Sequence, residues 1–371
     1  MAGNALVDEL RLLGAEHGLD AVGIAPATPF EQTRLELERR RAEGLHGGMA
    51  FTYRNPARST EPGRIVEGAR AIVVGARRYP AGRDPEATVA TGPQARVARY
   101  ASADYYRPLR TALEALARRL QADGWAARVV ADDNALVDRE AARRAGLGWY
   151  GKNSNLLLPG QGSWFVLGGV VTDAPLPPSA GPVPDGCGAC RRCLSGCPTD
   201  AIVAPGVLDA RRCLAWLLQA PGWFPVEFRS ALGDRIYGCD DCQEVCPENR
   251  LHADEGGRSR LPSADDQPWV DILEMLAAGD DELLARFGRW YIPQRQARYL
   301  RRNALVVLGN IGDGRDPNVE ATLRRCLADP DPIIRGHAVW ASARLNRLDL
   351  VAGLDDDDPE VQRELQQAPL I

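Results

Sequence analysis

The stretch CGACRRCLSGCP, Cys187 to Pro198, spaces four cysteines as C-x2-C-x2-C-x3-C with a proline directly after. Further on, Cys239, Cys242 and Cys246 form C-x2-C-x3-C, again followed by a proline, Pro247, and Cys213 lies between the two groups. Disulfides require an oxidising compartment, and the chain start does not predict export. MAGNALVDELRLLG alternates apolar and charged residues at helical spacing, with no basic segment leading into an apolar one. The triplet Arg39-Arg40-Arg41 lies too far in, and is followed by Ala-Glu-Gly, so it does not read as a twin-arginine signal. A cytoplasmic protein is expected. Structural zinc uses paired C-x2-C units, whereas the unbroken C-x2-C-x2-C-x3-C-P run is not a usual zinc spacing. The run is one that binds [4Fe–4S] cubanes.

It is the bacterial ferredoxin spacing, in which a tight loop wraps three thiolates around one cubane and the next residues lead to a second. On that geometry Cys187, Cys190, Cys193 and Cys246 hold one cluster. Cys197, Cys213, Cys239 and Cys242 hold the other. The long insertion between Cys213 and Cys239 departs from a compact ferredoxin. The ninth cysteine, Cys326, reads as an ordinary buried thiol. Two adjacent cubanes move electrons singly and do no group chemistry, so the acceptor must sit elsewhere in the chain.

Outward from the cysteines the texture changes in both directions. A length of 371 residues predicts two or three domains. Residues 1–178 alternate helical segments (LVDELRLLGAEHG, LRTALEALARRLQADG) with strand-like runs (AIVVGARRY, WAARVVA, SWFVLGGVVT), the pattern of an α/β layer domain. DAPLPPSAGPVPDG, with five prolines, reads as an extended linker into a cluster domain over 179–260. From 261 to 371 an all-helical domain is expected. There acidic-Pro turns recur before amphipathic segments (RDPNVEATLRRCLAD, DPDPIIRGHAVWASARL, DDDDPEVQRELQQA), as in a short stack of HEAT-type repeats. No apolar run approaches the roughly 20 residues that cross a bilayer, so no membrane association is expected. A net charge of −5 argues against a general basic coat for nucleic acid, though not against a local patch.

Gly146-Leu-Gly148-Trp-Tyr-Gly151 matches the dinucleotide fingerprint G-x-G-x-x-G. That motif follows a strand and opens a helix; here it follows the helical DREAARRAG and precedes a loop. A nicotinamide or flavin site is therefore not expected. The cobalamin signature D-x-H-x-x-G is also missing, since His17, His46, His252 and His337 have the wrong neighbours.

The stretch DDNALVDREAARRAGLGWYGKN (Asp132 to Asn153) closely resembles the core motif of epoxyqueuosine reductases. So do RYASADYY (Arg99 to Tyr106), GCGACRRCLSGCPTDAI, DARRC around Cys213, RIYGCDDCQEVCPEN and the tail segment YLRRNALVVLGN (Tyr299 to Asn310). The likeness spans nearly the whole chain. It departs at Tyr106, where the family usually has histidine, and at Ala103, where it usually has glycine.

The resemblance implies a reductive-dehalogenase-like α/β domain holding base-off cobalamin, beside the two [4Fe–4S] clusters. It implies reduction of epoxyqueuosine to queuosine at the wobble position of tRNA, by cob(I)alamin attack on the epoxide with Asp132 as proton donor. Lys152, Asn153 and Arg58 are implied as cofactor contacts, and Asp104 and Tyr105 as substrate contacts. For the tRNA, Arg286, Arg289, Arg295, Arg298, Arg301 and Arg302 lie in a stretch with no acid between Glu282 and Asp313. Trp290 and Tyr291 are placed there to stack on bases. The partners are then tRNA and a low-potential electron donor, and a monomer is expected. The rival readings are a corrinoid dehalogenase of a small organohalide and a non-enzymatic ferredoxin-type carrier.

Overall fold

The structure is a computed structural model and describes residues 2–80, 92–250 and 266–370. Two of the sequence readings, His252 and the 260/261 boundary, lie outside the described residues. The chain forms two compact units that do not follow its three consecutive textures. The first comprises described residues 2–80, 103–211 and 240–250; the second comprises 92–102, 212–239 and 266–370.

The first unit is a layered α/β body. Its sheet runs in the order Ala21–Pro26, Ala71–Arg78, Phe165–Thr172, Ala127–Ala131, and every pairing is antiparallel. The two central runs, Ala71–Arg78 and Phe165–Thr172, are apolar and rich in β-branched residues, so both faces bury: no residue of either is exposed. Alternation then sorts the faces. Ile72, Val74 and Ala76 join Ala141, Ala142 and Ala145 of the Asp138–Arg144 helix and its end in one core. The long helices Ala2–Glu16 and Tyr106–Ala122 cover the other face, where Leu113 packs over Gly75 and Gly168. AVGIAP, Ala21 to Pro26, gave no strand signal because it is short and rich in small residues; it forms an edge strand. The proline-rich linker lies along that edge: Ile24 N–H donates to Ser179 Oγ (2.9 Å) and Ser179 N–H to the Ile24 carbonyl (2.9 Å). A covered edge cannot pair with another chain.

The glycine triad lies where its context indicated. Gly146 ends the Asp138–Arg144 helix with φ +71°, and Gly148 leads into Trp149–Tyr150, which pairs with Leu156–Leu157. A Cβ at Gly148 would lie 2.0 Å from the Leu157 carbonyl oxygen. These glycines serve a helix-to-hairpin turn, not a phosphate loop.

The second unit holds the C-terminal helices Arg298–Ile311, Pro317–Leu327, Pro332–Arg344 and Pro359–Gln367, with Pro332–Arg344 packed on the other three. Asp316, Asp331 and Asp358 cap the last three, accepting from the N–H groups of Asn318 (2.8 Å), Ile333 (2.9 Å) and Glu360 (2.9 Å). Proline occupies the next position in each, where a missing N–H costs nothing. The unit is not wholly helical. Trp269–Asp271 pairs antiparallel with Gln94–Val97, which pairs parallel with Arg235–Tyr237. Cys326 is 4 % exposed in this core, and burial pushes its thiol up to about 11. Among the described residues, no helix is long and apolar enough to cross a membrane.

Candidate active site

Asp132 follows the Ala127–Ala131 strand with φ +51°, a left-handed conformation that aspartate tolerates better than most residues. Both flanks of the turn are held. Arg110 donates to the Ala131 carbonyl (2.8 Å), Ser59 Oγ donates to the Asn134 carbonyl (2.6 Å), and Val137 N–H donates to the Ser59 carbonyl (2.9 Å). Asp133 accepts from Ala135 N–H (2.8 Å), so its carboxylate is engaged within the turn, and both aspartates are exposed.

The Asp132 side chain is reached by water, yet burial raises its pKa above the ordinary carboxylate value. Arg110 opposes that rise, while Asp133 and Asp104 add to it. The carboxyl is thus exposed at its surface yet crowded closely enough that desolvation favours its neutral form. Tyr106 shares the setting: burial, then Asp138 and Asp132, push its phenol well above the usual value. Tyr150 is raised by burial, then by Glu140, although its ring is 37 % exposed. Asp138, in the first turn of its helix, is raised by burial against the pull of Arg139.

Asp104 accepts from Arg107 N–H (2.9 Å), so it caps the Tyr106–Ala122 helix and also bears on Asp132. Tyr105 stacks on Tyr79, centroids 5.6 Å apart. Arg58 is exposed on the short helix Pro56–Ser59, whose Ser59 grips the Asp132 turn. Thus Asp132 and Asp104 are brought together, with Arg58 on a segment tied to the same turn.

Lys152 and Asn153, expected as contacts to cofactor amides or phosphate, are hydrogen-bonded to the cysteine loops. Lys152 Nζ donates to the carbonyls of Gly188 (2.6 Å) and Cys190 (2.8 Å). Asn153 Nδ2 donates to the Cys242 carbonyl (3.2 Å), and its Oδ1 accepts from Asn155 N–H (3.1 Å). The pair tethers both cysteine loops to the Trp149–Leu157 hairpin. A buried network of Ser163, Gln243 and Asn249 fixes the second loop further, with Ser163 Oγ donating to Gln243 Oε1 (2.9 Å).

All nine cysteines are unbridged. Cys193 is raised by burial, then by Cys246 and Cys187, with Cys190 contributing, so these three thiols lie within electrostatic reach of Cys193. Cys197 Sγ accepts from Ala201 N–H (3.2 Å). Cys213 and Cys239 belong to the second unit. Among the described residues no three His, Cys, Asp or Glu side chains converge as the ligands of a single metal ion would.

A family model described as Epoxyqueuosine reductase QueG, DUF1730 matches residues 60–133, and one described as 4Fe-4S double cluster binding domain matches residues 186–249. The epoxyqueuosine reductases of Xanthomonas campestris pv. campestris and Bacillus subtilis are 36% and 30% identical to the chain. These alignments cover 90% and 98% of this chain, and 95% and 91% of the relatives. A crystal structure of an epoxyqueuosine reductase with an epoxyqueuosine-modified tyrosine tRNA stem loop matches with a TM-score of 0.86 at 29% identity, over 99% of this chain and 98% of that one. The chain belongs to the epoxyqueuosine reductase family. It is therefore an oxidoreductase with an iron–sulfur domain. The first matched segment contains Asp104, Arg110 and Asp132, and the second contains the eight clustered cysteines.

As a member of the epoxyqueuosine reductases, the chain offers less basic surface in its tail than the sequence suggested. Arg302 is wholly buried, donating to the carbonyls of Ala220, Gly222 (both 2.7 Å), Leu217 (3.1 Å) and Leu218 (3.3 Å), so it cannot reach an external phosphate. Trp290 is 3 % exposed and stacks on Tyr237 and Phe287 with centroids 4.5 Å away, so it cannot take a base. Arg301 pairs with Asp280 (2.5 Å), Arg298 with Asp331 (3.4 Å) and Arg286 with Glu274 (3.5 Å). Arg295 donates to Gly288 and Leu284 carbonyls but stays exposed, and Tyr291 is 55 % exposed. Reading the sequence for this reductase missed Arg110 and Asp138. Arg110 was within reach, since it lies four residues after Tyr106 on one helix face.

Proposed function

We propose that this chain reduces epoxyqueuosine in tRNA to queuosine, with Asp132 as the acid that protonates the opening epoxide oxygen. One observation carries the reading: an exposed carboxyl held at a left-handed turn and raised in pKa by burial. A group so placed keeps its proton closer to neutrality than an ordinary aspartate does, as a general acid must. The overall change consumes two electrons and two protons and releases the epoxide oxygen as water, leaving an alkene.

Base-off cobalamin would supply the strongly reducing, nucleophilic cobalt that an epoxide carbon requires, with two [4Fe–4S] clusters supplying its electrons singly. The chain has groups suited to an amide-rimmed ring. Ser154 Oγ and Trp149 Nε1 are buried without hydrogen-bond partners on the Trp149–Leu157 hairpin, and Ser154 has φ +66°. With Arg58 and Tyr150, these are the side chains that would hold such a group. Cys187, Cys190, Cys193 and Cys246 would hold one cluster, and Cys197, Cys213, Cys239 and Cys242 the other. The 1–178, 179–260 and 261–371 segments would then serve as cofactor, electron and tRNA modules, the last built as HEAT-like repeats. A relative crystallised with a modified tRNA stem loop supports tRNA as substrate. In the tail, Tyr291 and Arg295 are the exposed groups suited to it.

The test is anaerobic reconstitution with iron, sulfide and cobalamin, followed by reduction and incubation with epoxyqueuosine-bearing tRNA. Nucleoside mass spectrometry should show loss of one oxygen, dependent on cobalamin and abolished in Asp132→Asn. Conversion that survives Asp132→Asn would remove Asp132 as the acid. No conversion by fully loaded protein would remove the reaction itself.

A further inference from the structure

We infer that the exposed loop from Gly186 to Arg192 is the docking surface for an acidic, protein-borne one-electron carrier. The inference rests on reading Cys187, Cys190, Cys193 and Cys246 as ligands of one cluster. Of these four, Cys190 is exposed and the others are half-buried, so this loop is where that cluster comes nearest to solvent. Arg191 and Arg192, directly after Cys190, are both exposed.

Their charge is left open. Elsewhere in the same unit Arg34, Arg39, Arg119 and Arg143 are each spent on a carboxylate. Neither Arg191 nor Arg192 makes a side-chain hydrogen bond or ion pair among the described residues, and residues 186–199 contain no acid. The acid just before them, Asp185, turns back to accept from Cys187 N–H (2.8 Å). From the other side the Lys152 ammonium, bonded to two carbonyls of the loop, adds a third positive charge. In a chain of net charge −5 these are three cations bordering an exposed thiol. The second cysteine loop brings two acids to the same side, Asp241 and Glu244, on the helix packed against Arg192–Ser195.

Cations so placed steer an oppositely charged protein and orient it in a small, short-lived contact. Those are the needs of repeated single-electron delivery, for which weak interfaces suffice. In each encounter one electron leaves the reduced carrier and enters the oxidised cluster; no bond forms and no proton moves. The fit is to an acidic carrier with an edge-exposed redox group, such as a flavodoxin.

The test uses the reconstituted full chain and a purified flavodoxin as probe. Affinity is titrated at low and raised ionic strength, and cluster bleaching by reduced flavodoxin is followed by stopped flow. Arg191→Glu with Arg192→Glu should weaken flavodoxin binding by roughly tenfold or more and flatten its salt dependence. Iron content, cluster absorbance and reduction by photoexcited deazaflavin should stay unchanged. Should the double reversal lose iron, the Arg191→Gln and Arg192→Gln pair carries the same expectation with a smaller effect. Unchanged affinity, or a shifted midpoint potential at unchanged affinity, would overturn the docking surface and leave the arginines as charge partners of the cluster. Wild-type protein that takes up no cluster would instead overturn the ligand reading on which the inference rests.

Discussion

Asp132 holds a conformation and a charge state that both cost stability. A left-handed φ at a non-glycine residue costs of order 1–3 kcal/mol, less for aspartate or asparagine than for others. Its raised pKa adds a second cost. A carboxyl raised on folding contributes stability below its unfolded pKa of about 3.9, and that contribution is lost as pH rises through the folded value. At neutral pH Asp132→Asn should therefore raise the Tm while abolishing epoxide reduction, an opposition that a merely structural turn residue would not show. Calorimetry beside the nucleoside assay checks both halves. Arg110 gives a sharper test of the acid's role. Protonated Asp132 is the donor, so the rate of the proton-dependent step is full below its pKa and falls as pH rises through it. Arg110 holds that pKa down. Arg110→Met should shift the falling limb of the single-turnover pH profile to higher pH. A limb that stays in place, or moves to lower pH, would mean that the Arg110 charge is not felt by the donor.

At the scale of elements, the aspartate caps and the Lys152 tether each make a separable claim. Asp316→Ala, Asp331→Ala and Asp358→Ala should each cost about 1 kcal/mol in urea unfolding. The outer two should add within a few tenths, because they share no partner. Lys152→Met removes two hydrogen bonds to the Gly188 and Cys190 carbonyls without touching a thiol. Iron should then leave the reconstituted protein several-fold faster in air, and equal rates would show that the loop keeps its shape unaided. The caps were legible in sequence because a cap is local: Asp-Pro fixes its own turn and the helix that follows. The cysteine spacing was legible for the same reason. The arginines of the tail were not. Arg302 and Arg301 are adjacent in one acid-free stretch, yet one is sealed against carbonyls from Leu217 to Gly222 and the other meets Asp280. Their partners come from distant parts of the chain, and no local pattern encodes which face of Arg298–Ile311 is covered when ten of its 14 residues are buried. The tether made by Lys152 was likewise not legible, because its acceptors lie 36 and 38 residues away.

Across the whole molecule, a buried polar link of 135 residues in sequence joins the last helix to the segment between Cys213 and Cys239. Arg229, 1 % exposed, donates to both carboxylate oxygens of Glu364 (2.7 and 2.9 Å) and to the Phe224 carbonyl (3.0 Å). The last helix, Pro359–Gln367, is thereby bound to Val226–Leu232. Next to this pair His337 is fully buried and neutral: its Nε2 accepts from Phe224 N–H (3.2 Å), so Nδ1 donates to the Ile333 carbonyl (2.7 Å). Burial, then Arg229, hold its pKa well below the usual value. Breaking the pair by Glu364→Gln leaves a buried guanidinium half-compensated and should cost roughly 3–5 kcal/mol, whereas replacing both partners by packed apolar residues should cost far less. The histidine makes the unit acid-sensitive. Below about 6.5 the unfolded chain binds a proton that native His337 refuses, so stability falls as pH drops through that value and keeps falling until the folded pKa is reached. His337→Gln removes this titration, and its urea midpoint should lose less between neutral and mildly acid pH than the wild type's. Parallel pH dependence in the two proteins would place the acid sensitivity elsewhere. A shallower dependence would tie the stability of the segment bearing Cys213 and Cys239 to a helix that begins more than a hundred residues later.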